Sequence, residues 1–186
     1  RPFRIGVLNE SFSANHPAVE GLKEGLRDLG LVEGRDVAYE IRFTKGDPVS
    51  TATAAAELVK AGVDVIFTSN ESATLAAKRA TQRIPIVFTL VGDPVQTGVV
   101  ASLGQPGGNV TGVSSRAMEL APKRLDVLKM LVPRLNRVWF VYQDSDITDT
   151  AALANVREAA RRLRIELLVR TINDPNELAL VLKDAK

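Results

Sequence analysis

The chain has 186 residues, 45% hydrophobic and 25% charged, with 24 basic against 22 acidic side chains and a net charge of +2. That composition belongs to a folded chain, and the near-balance of charge, with no dense Lys/Arg run, gives no footing for nucleic acid. With no cysteine and one histidine there is no disulfide framework, no thiolate chemistry and no N/S transition-metal site; no apolar run reaches the ~18 residues needed to cross a membrane.

The chain opens at Arg1-Pro2, almost directly on a strand, and reads as a mature or trimmed form whose missing signal segment carries no weight. Phe3 to Leu8 is a short apolar strand running into the polar cluster Asn9 to Ser13. His16-Pro17 opens a helix, with Val19, Leu22, Leu26 and Leu29 at helical spacing and Gly30 as its stop. Val37 to Phe43 alternates as a second strand, and Asp47-Pro48 caps an alanine-rich helix ending at Ala61-Gly62. Val63 to Thr68 is a third strand. Ser69 to Ser72 turns into a helix from Ala73 to about Thr81, and Ile86 to Val91 is the fourth strand, stopped by Gly92-Asp93-Pro94. This strict alternation with short loops predicts a three-layer, doubly wound α/β lobe with a parallel sheet, over residues 1–109.

After Pro106-Gly107-Gly108-Asn109, the apolar strand Val110 to Ser114 reads as a crossing or hinge over residues 110–116, and residues 117–186 as part of a second, similar lobe. That lobe holds a helix from Leu120 to Leu131, a strand from Arg137 to Tyr142, a helix from about Thr150 to Leu163, a strand from Ile165 to Thr171 and a helix opening at Asp174-Pro175. Two strands beyond the crossing are fewer than a stable sheet normally has, so this lobe reads as truncated or completed by a partner.

In open parallel sheets ligands sit beyond the carboxyl ends of the strands. Here those ends are Asn9 to Ser13, Ser69 to Ser72, Leu90 to Pro94 and Gln143 to Asp149, all small and polar. As single residues they read as caps and turn formers; as four loops on one rim they read as a ligand cleft. No G-x-G-x-x-G, P-loop or G-x-S-x-G is present, so no dinucleotide, phosphate-loop or serine-nucleophile chemistry is expected.

Glu24 to Gly34, Ala55 to Val59, Val63 to Ile66, Ala76 to Thr81, Ile84 to Phe88, Val91-Gly92-Asp93-Pro94-Val95 and Pro106-Gly107-Gly108-Asn109-Val110-Thr111-Gly112 stand in a telling order and spacing. In these the chain resembles, over nearly its whole length, the ABC-transporter substrate-binding proteins whose members include tryptophan and tyrosine binders. The resemblance implies a type I periplasmic-binding-protein-like fold with three crossings, a ligand between two lobes, a membrane permease as partner, an extracytoplasmic location and a longer chain. It carries ligand contact onto Asn9, Glu10, Ser11 and Phe12; Ser69, Asn70, Glu71, Ser72 and Ala73; Thr89, Gly92 and Asp93; and Tyr142, Gln143 and Asp144. Relatives usually place Thr-Pro where this chain has Glu71-Ser72, and Asn-Pro or similar where it has Gln143-Asp144. With Glu10 and Asp93 these carboxylates make either an acidic rim suited to a cation or, for Glu71, a helix-start residue favoured by the dipole.

The expected function is therefore binding of a small polar molecule, an amino acid or similar, without cofactor or metal and without catalysis. Amides near Ser72 and Ala73, with the Ser69 and Ser72 hydroxyls, are expected to hold a carboxylate, and Asp93 an amine. Phe12 and Tyr142 are candidates to stack on the ligand or to pack, and Trp139 to sit in the core. The alternatives are the same fold as a sensor of a membrane signalling protein, and a small-molecule enzyme with Asp93 or Glu71 as base.

Overall fold

The computed structural model describes residues 1–11, 16–143, 147–172 and 177–184. The chain forms two compact units, Arg1–Ser115 and Arg116–Lys186. The first contains β1 (Phe3–Asn9), α1 (Pro17–Asp28), β2 (Val37–Phe43), α2 (Pro48–Ala61), β3 (Val65–Thr68), α3 (Glu71–Ala80), β4 (Ile86–Val91) and β5 (Val110–Ser114). Its five strands are all parallel, in the order β2-β1-β3-β4-β5. Val110 to Ser114, read in the sequence as a crossing, is the strand next to β4 and leads directly into the second unit.

The helices start and stop where local chemistry dictates. His16 caps α1 by accepting the Ala18 N–H, and Pro17 occupies the first turn, where no donor is needed. Asp47 caps α2 through the Ser50 N–H at 2.8 Å, and Gly62 closes it in the left-handed region at φ 69°. α3 begins at Glu71, two residues ahead of the sequence expectation, because Asn70 is its cap and accepts the Ala73 N–H at 2.9 Å.

Strand alternation divides the side chains between two faces. Leu8, Ile66, Ile86, Phe88 and Val110 meet Leu58 of α2 and Ala73, Ala76 and Ala77 of α3. Ile5, Val7 and Phe67 meet Val19 of α1. Fully burying a leucine or isoleucine such as Leu8, Leu58, Ile66 or Ile86 contributes roughly 1.5–3 kcal/mol. Gly112 lets β4 and β5 approach: a Cβ there would lie 2.2 Å from the Phe88 carbonyl oxygen and 2.5 Å from its ring. Along β4 the pairing slips between Phe88 and Val91, with Leu90 at φ 59°, a bulge beside the carboxyl end of the strand.

The second unit contains α4 (Ala117–Leu131), β6 (Arg137–Gln143), α5 (Ile147–Leu163), β7 (Glu166–Ile172) and α6 (Leu178–Asp184). β6 and β7 are a parallel pair, and Val138, Phe140 and Leu167 pack with Leu125 of α4 and Val156, Ala159 and Ala160 of α5. α4 runs through Pro122. Proline has no N–H for the carbonyl four residues back, and that carbonyl, of the buried Met118, accepts instead from Asn155 Nδ2 at 3.3 Å. This outside donor explains why the helix extends three residues further toward its N-terminus than the expected start at Leu120. Trp139 lies on the other face of β6, half-buried, with the Arg170 guanidinium 4.9 Å from its ring centre, rather than in the core expected for it.

Candidate functional site at the carboxyl ends of β1, β3 and β4

From β1 the chain turns to β2 on one side and then crosses to β3 on the other. The strand order therefore reverses between β1 and β3, and that reversal opens a crevice at their carboxyl ends. Asn9, Glu10 and Ser11 leave β1 there, and Ser69, Asn70, Glu71, Ser72 and Ala73 leave β3. Glu10 accepts from Asn70 Nδ2 at 2.9 Å and from the Ser72 hydroxyl, so the two strand ends are joined by one carboxylate. That carboxylate rests at the positive end of α3. Among the described residues, no ion pair includes Glu10 or Asp93.

Asn9 is 1% exposed. Its Oδ1 accepts the Ser11 N–H at 2.8 Å, which fixes the orientation of the amide, and its Nδ2 is buried with no acceptor among the described residues. Ser69 and Glu71 are also buried, Glu71 in the first turn of α3 where the dipole favours an acid. The Ala73 N–H, expected from the sequence to face a ligand, is given to the Asn70 cap. Beneath this loop the Thr68 and Thr74 hydroxyls hydrogen-bond at 2.8 Å, tying β3 to α3.

At the end of β4, Gly92 is buried and Asp93 half-buried. Asp93 Oδ1 accepts from the Val95 N–H at 3.1 Å and the Gln96 N–H at 3.0 Å, so one oxygen shapes its own turn. Thr89 opens onto a largely apolar groove of about 590 Å³ beside α1, lined also by Leu22, Phe67, Val87, Leu90 and Val113. The structure thus joins Glu10 with Asn70 and Ser72, and leaves Thr89 and Asp93 in separate surroundings. Phe12 and Asp144 lie outside the described residues. Tyr142 and Gln143 end β6 in the second unit, with the Tyr142 ring 5.8 Å from that of Phe140.

Sequence reasoning did not reach three features of this region. The Glu10 link has no local sequence signal, because its partners are 60 and 62 residues away. Lys78 fastens the segment after β4 through the Gly98 carbonyl at 2.7 Å and that of Val99 at 3.1 Å. Asn109 Nδ2 donates to the Ile84 carbonyl at 2.7 Å, joining the turn before β5 to the start of β4. Among the described residues no cluster of acids and histidine is arranged to hold a metal, and no helix is long and apolar enough to cross a membrane.

The description of one protein family, ABC transporter substrate binding protein, matches residues 10–186. The chain belongs to that family. It is 29% identical over 167 residues to a tyrosine-binding protein of Clostridioides difficile, a match covering 88% of this chain and 48% of that one. Its fold is shared with a conserved domain protein of Vibrio cholerae (TM-score 0.84, 25% identity, 99% of this chain and 62% of that one). It is shared also with an ABC domain from Streptococcus pneumoniae solved in complex with L-Trp (TM-score 0.81, 24% identity, 100% of this chain and 62% of that one). The chain spans about half the length of the curated relative, 48%.

Proposed function

We propose that this chain carries the ligand-binding rim of a solute receptor serving an ABC importer, acting outside the cytoplasm and delivering its ligand to a membrane permease. The ligand is a small polar molecule of amino-acid type, with an aromatic side chain as the leading candidate, and no chemical step is performed on it. One observation carries the reading: in a chain of the substrate-binding family, the strand end where the strand order reverses holds a buried amide donor at Asn9, unpaired among the described residues, and the Glu10 carboxylate bound to the start of α3. Rims built this way bind and orient. The relative that binds tyrosine supports the ligand class. The residues proposed for contact are those named from the resemblance, with Asn9, Glu10, Asn70 and Ser72 at their centre. The strand β5, leading from one unit into the next, is proposed as one of the crossings on which lobe closure turns.

A thermal-shift screen of the full-length protein against amino acids, polyamines, sugars and nucleosides tests this. At ~100-fold excess over Kd, a specific ligand stabilises the native state by ~2.7 kcal/mol. A dose-dependent rise with amino acids supports the proposal, and a response confined to sugars or nucleosides contradicts it.

A further inference from the structure

We infer that the consecutive residues Asn9 and Glu10 divide the recognition of the ligand's polar head between them, Asn9 Nδ2 binding an acceptor oxygen and the Glu10 carboxylate binding an ammonium group. The inference rests on the receptor reading above and names the ligand chemistry of that rim.

Two independent observations carry it. The first is the Asn9 amide. With Oδ1 held by the Ser11 N–H, Nδ2 cannot be exchanged for an acceptor by flipping the group, and it stands buried at the end of β1 with no partner among the described residues. A buried donor without a partner is costly and rare, so an oxygen from outside the chain completes it. The second is Glu10. Among the described residues its carboxylate takes two neutral donors, Asn70 and Ser72, and enters no ion pair.

Glu10 also changes what the start of α3 can accept. That helix end favours an anion, but Glu10 already provides one, and the Ala73 N–H is committed to Asn70. A ligand carboxylate placed there meets like charge. An ammonium meets a preformed, oriented carboxylate, and the ligand's own carboxylate is left for Asn9. A zwitterion carries both groups this strand end calls for, an acceptor oxygen for Asn9 and an ammonium for Glu10. Asp93, the sequence-level candidate for the amine, has one oxygen committed to its own turn.

Calorimetry of the full-length protein with three probes separates the two roles: L-tyrosine, tyramine (no carboxylate) and 3-(4-hydroxyphenyl)propionate (no ammonium). Glu10→Gln keeps the shape of the side chain and removes its charge. It is expected to weaken L-tyrosine and tyramine about tenfold or more while sparing the propionate, since charge-assisted hydrogen bonds are the strong ones. Asn9→Ser keeps an acceptor for the Ser11 N–H and withdraws the amide donor. It is expected to weaken L-tyrosine and the propionate and to spare tyramine. Each comparison is made between ligands within one variant, so a general loss of stability does not imitate it. If wild type binds L-tyrosine and either variant weakens all three probes equally, or none, the division of roles is overturned and the receptor reading stands. If the Asn9 variant alone is without effect, an internal water holds Nδ2 and the inference also fails. If wild type binds no amino acid, the receptor reading fails first and takes the inference with it.

Discussion

Asn155 and Pro122 offer a quantitative test of how the second unit is held together. Pro122 leaves the Met118 carbonyl without its helical donor, and Asn155 reaches across from α5 to supply one at 3.3 Å. Met118 is 4% exposed, so water does not readily take the place of Asn155. Asn155→Ala therefore strands a buried acceptor and is expected to cost about 1–3 kcal/mol. Pro122→Ala restores a backbone N–H at the right position and removes a proline from a helix interior, where it is about 3 kcal/mol less favourable than alanine, so this variant is expected to be more stable than wild type. In the Pro122→Ala background the Asn155 substitution becomes nearly neutral, and the double-mutant cycle gives a coupling of about 1–3 kcal/mol. Urea unfolding followed by tryptophan fluorescence is the assay, because the single tryptophan, Trp139, lies in β6 of the same unit. Strictly additive effects, with Asn155→Ala equally costly in both backgrounds, would refute the reasoning.

Three further outcomes are expected. Gly112→Ala places a methyl 2.2 Å from the Phe88 carbonyl and forces β5 away from β4, at about 1–3 kcal/mol, whereas Val113→Ala, 71% exposed in wild type, stays within about 0.5 kcal/mol; equal denaturation midpoints for the two variants would contradict the close approach. Leu58→Ala, at a fully buried position between β1 and α3, is expected to cost about 2–5 kcal/mol in far-UV circular dichroism melts. Burial holds the His16 imidazole below its ordinary 6.5, and its Nδ1 must stay unprotonated to cap α1. Between the lowered value and 6.5 the unfolded chain binds more protons, so stability falls as pH drops through that window and is level above 6.5. His16→Asn keeps a capping oxygen and should remove that part of the pH dependence, read from urea midpoints between about pH 5 and pH 8.

The first unit was legible because its signals are local. Val37–Phe43 alternates, Asp47-Pro48 announces α2, Gly62 ends it, and the apolar run before Gly92 is β4. Where the sequence misplaced an element, a contact distant in the chain had decided it. α4 runs past Pro122 because Asn155 repairs the lost bond from 37 residues away, and Trp139 faces the Arg170 guanidinium of the neighbouring strand β7 rather than the core. The candidate site divides the same way. Its position followed from parallel strands and where they end, and its residue types from the loops. The roles inside it did not follow, since nothing near Glu10 in sequence shows that Asn70 and Ser72 will bind it, and nothing near Asp93 shows that its own turn will use one of its oxygens.

The most direct test is a nitrogen-15 NMR titration of the full-length protein with L-tyrosine, recording backbone and side-chain amides. Saturable shifts are expected at residues 9–11, 69–73, 92 and 93, with the Asn9 side-chain amide among the largest. Shifts centred on the groove beside α1, at Leu22, Val87 and Val113, with the strand ends unmoved, would contradict it.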